Sequence, residues 1–309
     1  MRWNRRELAA GALALAGCGR APADAQEPAK MDTTSLIARQ IPSSGEAIPV
    51  VGLGTWQAFD ITPGGDDWAE GREALRVFAA RGGKVVDSSP MYGRAEAAIG
   101  ALAADLGVRP KLFLASKVWT QGRGAGERQI ADSHRLMQAP TLDLMQVHNL
   151  LDLDTHLATL REAKAAGRVR YVGVTHYTEG AYDALEAAMR RHPLDFIQIN
   201  ASVAERESED RILPLAAERG MAVLINRPFA GGDLFSRVRR LPLPAWASEI
   251  GAQSWAQILL KYVLSNPAVT CAIPGTRNPR YILDNLGAAT GPLPDAAQRR
   301  RIVEAVAAA

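Results

Sequence analysis

From Val50 to Pro274 the chain alternates short apolar runs with amphipathic ones, and this alternation restricts its fold more than any other feature. The apolar runs are Val50–Thr55, Lys84–Asp87, Leu112–Lys117, Leu142–His148, Tyr171–Thr175, Phe196–Asn200, Ala222–Asn226 and Thr270–Pro274. Their length and β-branched content predict buried strands. Helical spacing predicts Ala69–Ala80, Arg94–Leu106, Thr155–Ala166, Ala181–Arg191, Glu207–Arg219, Ala252–Leu264 and Arg280–Ala289. Gly107, Gly167 and Gly220 stand where helix C-terminal caps belong. Strands of this kind followed by helices predict an α/β protein with a parallel sheet covered by helices. Eight is the number that closes a (β/α)8 TIM barrel of about 250 residues. The competing fold, a doubly wound open sheet, should carry Gly-x-Gly-x-x-Gly after its first strand. Gly52-Leu-Gly54 lacks the third glycine. Gly122-Arg-Gly124-Ala-Gly126 has the wrong spacing and is read as a mobile loop. The barrel is therefore predicted, over residues 35–309.

The N-terminus differs in kind. Arg5-Arg6 precedes an Ala/Leu run that closes on Leu15-Ala-Gly-Cys18. A basic segment, a run too short for a bilayer and small residues at its end predict an export signal over 1–18. The paired arginines resemble the twin-arginine signal that exports folded proteins. The cysteine resembles that of a lipoprotein lipobox. Acyl chains on Cys18 would tether the protein, each buried methylene contributing about 0.8 kcal/mol. The location expected is the periplasm, membrane-anchored; the competing readings are a plain N-terminal helix or a start near Met31, which leave the protein cytoplasmic. Residues 19–34, rich in Ala, Pro and polar residues, read as a flexible tether. With only Cys18 and Cys271 in the chain, no structural disulfide is expected. A net charge of +3, with both signs interspersed, gives no nucleic-acid surface. The arginines at 237–240 and 299–301 read as solvated faces.

In a barrel, chemistry collects at the carboxyl ends of the strands. The second predicted strand ends at Asp87, and a Ser-Ser-Pro turn presents Tyr92. The third ends at Lys117 followed by Trp119, the fourth at His148-Asn149, and the first at Trp56. A lone histidine here is more often a satisfied core residue, and a lone lysine reaches solvent. Asp, Tyr, Lys and His on three successive strand ends fit carbonyl reduction. A free phenol, with a pKa near 10, donates poorly at neutral pH. The Lys117 ammonium would stabilise the Tyr92 phenolate, with Asp87 holding that lysine charged and in place. Tyr92 would then protonate a substrate oxygen that His148 orients. Trp56, Trp119 and Asn149 would line the substrate pocket, the two indoles excluding water. A metal-dependent hydrolase would need more His/Asp/Glu ligands at strand ends, so no metal is expected.

These motifs, with Gly52-Leu-Gly-Thr-Trp56, Asp143 to His148, Gly173-Val-Thr-His-Tyr177, Gln198-Ile-Asn200 and Ile273-Pro-Gly-Thr-Arg277 through Asp284-Asn285, resemble the aldo-keto reductases from about Ile48 to Ala289. The resemblance implies NADPH bound without a Rossmann motif, NADH being the weaker alternative, and a small aldehyde or ketone as substrate. It puts Asp87, Tyr92, Lys117 and His148 in the places of the catalytic tetrad. By the same resemblance Gln198 meets the nicotinamide carboxamide. Thr175 and His176 replace the usual Ser-Asn, and Asn226 replaces a stacking aromatic. Gly275, Thr276 and Arg277 surround the 2′-phosphate, while Asp284 and Asn285 contact adenine. Tyr281 stands in place of a second arginine. A non-catalytic NADP(H)-binding barrel acting as a sensor or auxiliary subunit is the alternative. Oligomeric state is not legible.

Overall fold

The computed structural model describes residues 36–309. The export signal and tether predicted over 1–34, with Arg5, Arg6 and Cys18, lie outside the described residues. The chain enters through an antiparallel hairpin, β1 (Ala38–Gln40) and β2 (Ala47–Pro49), followed directly by β3 (Leu53–Gly54). The alternating unit then begins: α1 (Asp66–Ala80), β4 (Val85–Asp87), α2 (Ala95–Asp105), β5 (Phe113–Val118), α3 (Arg123–Leu136) and β6 (Leu142–His148). It continues through α4 (Leu153–Ala165), β7 (Val169–Thr175), α5 (Tyr182–Arg191), β8 (Phe196–Asn200), α6 (Ile212–Glu218) and β9 (Ala222–Asn226). The last elements are α7 (Asp233–Val238), α8 (Trp255–Leu264), β10 (Cys271–Ala272), α9 (Pro279–Gly287) and α10 (Ala296–Ala307).

Strands β3 to β10 pair in chain order, every neighbour parallel. Parallel bridges Val51–Ala272 and Gly54–Gly275 bring the first strand against the last and close the (β/α)8 barrel. Closure explains Gly54: a Cβ there would sit 2.7 Å from the Ile273 carbonyl oxygen.

Side chains inside the barrel follow the two-residue period of each strand. The lower layers are apolar: Val85, Phe113, Leu144, Tyr171, Phe196 and Leu224 pack with Ile41 and Ile48 of the hairpin. The hairpin thus plugs the end of the barrel where the strands begin. A second apolar layer, between strands and helices, holds Leu53, Val86, Leu114, Val147 and Val174 against Leu75, Ile99, Leu157 and Leu185.

The predicted strands are all present, the first and last of them shortened. Gly122-Arg-Gly-Ala-Gly126 is not a loop. Gly122 precedes α3, and Gly126 lies within it because a Cβ there would sit 2.5 Å from the His156 ring. Glu207–Arg219 breaks into a short turn of 3-10 helix and α6. Nor is Arg299 a solvated face: it donates to Glu209 at 2.6 Å and to the Tyr262 carbonyl at 2.5 Å, tying α10 to α8.

Candidate active site

The polar residues begin where the apolar layers inside the barrel end. Asp87, Lys117, Gln146 and Gln198 close the interior at the carboxyl ends of β4, β5, β6 and β8, each 2% exposed or less. Lys117 Nζ donates to Asp87 Oδ2 at 2.6 Å and to the Ser88 carbonyl at 2.7 Å. Gln146 Nε2 donates to Gln198 Oε1 at 2.7 Å, and both amides approach the Asp87 carboxylate, at 3.5 and 3.4 Å. A buried ion pair is tolerated only when its remaining hydrogen-bonding positions are filled, and these amides fill them. Burial pushes the Asp87 carboxyl up, against the pull of Lys117. For Lys117 burial, the largest single influence, favours the neutral amine, but Asp87 and Tyr92 together outweigh it and the ammonium is held above its usual range.

Tyr92 is delivered by the turn Ser89-Pro90-Met91-Tyr92. The Tyr92 amide donates to the Ser89 carbonyl at 3.0 Å, and Pro90 supplies the φ that the second turn position needs. Thr55 fixes the approach: its hydroxyl donates to the Asp87 carbonyl at 3.0 Å and accepts from the Ser88 hydroxyl at 2.9 Å. Lys117 Nζ stands 4.9 Å from the Tyr92 ring centroid. Burial raises the phenol above its ordinary value, and the Lys117 charge opposes that rise without reversing it. Tyr92 thus holds its proton at neutral pH, and Lys117 offsets part of the cost of losing it.

His148 ends β6 with its ring 6.4 Å from that of Tyr92 and 6.1 Å from that of Trp119. Ser89 Oγ lies 3.4 Å from its Nδ1. Burial, with the charge of Lys117 behind it, lowers its pKa to about 3, so the imidazole is neutral. This has a consequence for stability. An unfolded histidine takes up a proton below about 6.5, whereas the folded one resists until about 3. The unfolded state therefore binds more protons in that window, and stability falls as pH drops through it. From pH 7.5 to pH 5 the loss from this one group is about 2 kcal/mol. Urea midpoints at the two pH values check it, with His148→Gln expected to show a smaller difference than wild type.

Above this layer opens a cavity of about 550 Å³. Asp87, Tyr92, His148, Trp56, Trp119 and Asn149 all line it, as do Thr175, Gln198, Asn226 and Gly275. His176, Thr276, Arg277, Asp284 and Asn285 do not. His176 turns away: its Nδ1 accepts from the Tyr177 amide at 3.0 Å and its ring stacks on Tyr177, which lines the cavity instead. Asp284 accepts from Ser254 and Gln257, both at 2.8 Å, tying α9 to the start of α8. Trp56 and Trp119 are 53% and 37% exposed, so they form an open rim rather than sealed walls.

Sequence reasoning missed Gln146, although its position two residues before His148 puts both on one strand face. It also left Arg227, Gly231, Gly232 and Phe235 unassigned, and all four line the cavity after β9. Ala230, Gly231 and Gly232 have positive φ, and Arg227 joins them at 50°. Gly231, at φ 69°, lies in the left-handed region that favours glycine, and a Cβ there would also crowd the Arg227 guanidinium at 3.2 Å. Asn149 Oδ1, Asn226 Oδ1 and Arg227 Nε are buried without hydrogen-bond partners among the described residues. Two amide acceptors and a guanidinium donor around one cavity suit a ligand carrying an amide and anionic groups.

Known proteins give this arrangement a context. The chain is 24% identical over 284 residues to the aldo-keto reductase YhdN of Bacillus subtilis, covering 78% of this chain and 85% of that protein. It is 27% identical over 258 residues to the methylglyoxal reductase YeaE of Escherichia coli, covering 80% and 88%. Among solved structures it resembles an aldo/keto reductase from Klebsiella pneumoniae in complex with NADP and acetate, with a TM-score of 0.71 and 25% identity, covering 84% and 92%. Residues 50–306 match the model of the aldo/keto reductase family, and to that family the chain belongs.

Proposed function

We propose that the protein is an NADPH-dependent oxidoreductase that reduces aldehydes or ketones to alcohols at the mouth of its barrel. The observation that carries this reading is the buried Asp87–Lys117 ion pair, with Lys117 Nζ 4.9 Å from the Tyr92 ring centroid and His148 lining the same cavity. NADPH, when bound, supplies the hydride. Tyr92 gives its proton to the substrate oxygen. Lys117 stabilises the phenolate left behind, and Asp87 keeps Lys117 charged and in place. His148, being neutral, offers an N–H to the carbonyl oxygen without adding a second cation beside Lys117.

The orphaned Asn149, Asn226 and Arg227 atoms fit the nicotinamide dinucleotide bound by the Klebsiella relative. Thr175, Gln198, Asn226 and Gly275 would hold it along the cavity wall. Thr276, Arg277, Asp284 and Asn285 would meet its adenosine half beyond the rim, and His176 would stand beside Thr175 at the nicotinamide end. A small carbonyl compound would enter between Trp56, Trp119 and Asn149. Loss of NADPH absorbance on adding a panel of aldehydes tests the reading, and methylglyoxal, named for the Escherichia coli relative, belongs in it. NADPH that binds but is consumed with none of them would favour the non-catalytic sensor.

We propose also that Arg5-Arg6 and Cys18 send the folded barrel to the periplasm and tether it to the membrane there. Cell fractionation checks this: wild type is expected in the membrane fraction with Cys18 acylated, and an Arg5→Lys, Arg6→Lys variant in the cytoplasm. Wild type found soluble in the cytoplasm, with Cys18 unmodified, would overturn it.

A further inference from the structure

Arg277, two residues beyond the cavity-lining Gly275, is already held. Its Nε donates to Glu70 Oε2 at 2.9 Å and its Nη2 to Asp67 Oδ1 at 2.6 Å. Both acids stand near the start of α1, three residues apart and therefore on one face. Two carboxylates thus face one guanidinium, and they occupy the Nε–Nη2 edge with which arginine grips an anion through two parallel bonds. Tyr281, exposed on the first turn of α9, adds no charge.

We propose that Asp67 and Glu70 set the protein's choice between nicotinamide cofactors, by competing for Arg277 with a ribose 2′-phosphate. The inference rests on the functional reading above and deepens it. A phosphate monoester brings a charge of about −1.5 to −2 at neutral pH. To reach the guanidinium it must displace a carboxylate or use the remaining edge, and it is repelled by whichever acid stays. A ribose that carries a free 2′-hydroxyl meets no such competition and finds carboxylate acceptors for that hydroxyl. The cluster therefore narrows the preference for NADPH over NADH, and the site accepts both.

Direct binding tests this, with NADPH and NADH titrated separately into the full-length protein by calorimetry. In the Asp67→Asn, Glu70→Gln variant the NADPH dissociation constant is expected to fall about three- to tenfold, the size associated with freeing an exposed ion-paired group. That for NADH should stay level or rise. A purely structural tie between α1 and α9 would move both constants together or neither, and either result overturns the inference. Asp67→Asn alone, at a side chain 60% exposed, carries the same prediction at smaller size should the double variant fold poorly. Wild type that binds neither dinucleotide would overturn the functional reading and this inference with it. Wild type that binds NADPH, with an unchanged ratio in the variants, would overturn this inference alone.

Discussion

Tyr92→Phe is expected to lower carbonyl turnover about 10²–10⁴-fold, the range associated with loss of a positioned general acid, while NADPH binds almost as before. The substitution removes one hydroxyl and keeps the ring, whose face lies 4.9 Å from Lys117 Nζ. Packing of the turn is unaffected, because the turn is fixed by backbone and serine contacts rather than by the phenol oxygen. Stability should therefore stay close to wild type, less the modest loss of the phenol's hydrogen bond to Lys117. Steady-state rates on a reactive aldehyde, beside an NADPH titration, give both readouts. Retention of more than about a tenth of the rate would take the acid's role from Tyr92. A second outcome is equally informative. Were His148 the donor instead, turnover would require the imidazolium and would be lost as pH rises above its pKa. Its neutral form, held down to about pH 3, leaves no protonated imidazole to serve across neutral pH.

Much of this site was legible because each strand exposes it in the same way. Apolar runs end in one polar residue, and the barrel gathers those ends into a single layer. Asp87, Lys117 and His148 could be placed without coordinates. What stayed hidden depends on residues far apart in the chain. The bonds from Arg277 to α1 join positions about 210 residues apart, and no local pattern marks them. The hairpin plug was missed because Ala38–Gln40 and Ala47–Pro49 are too short to show a period. The helix α3 was hidden by three glycines, of which Gly126 serves close packing rather than turning. His176 was assigned by its place in a motif, yet its ring lies on Tyr177, a choice of rotamer that the sequence does not encode.

Lys117→Met should cost both stability and rate, and the two losses have different origins. Lys117 and Asp87 are 1% and 2% exposed. Removing the ammonium leaves a carboxylate whose remaining side-chain donors are the distant Gln146 and Gln198 amides. Breaking a buried pair in this way costs about 3–5 kcal/mol. The variant's Asp87, already pushed up by burial, then has no cation to oppose that shift. A carboxyl whose folded pKa lies above its unfolded value binds more protons when folded. Its destabilising effect is greatest at high pH and is relieved as pH falls toward the folded pKa. Lys117→Met is thus expected to be least stable at neutral pH and to recover relative to wild type on acidification, as urea midpoints would record. Adding Asp87→Asn removes the stranded charge and should restore most of the stability at neutral pH. It should not restore turnover, since Tyr92 would still release its proton without an ammonium beside it. A double variant that regained both would show that Lys117 serves only to neutralise Asp87. A single variant with wild-type stability at neutral pH would mean that the buried carboxylate finds its compensation elsewhere in the Gln146–Gln198 network.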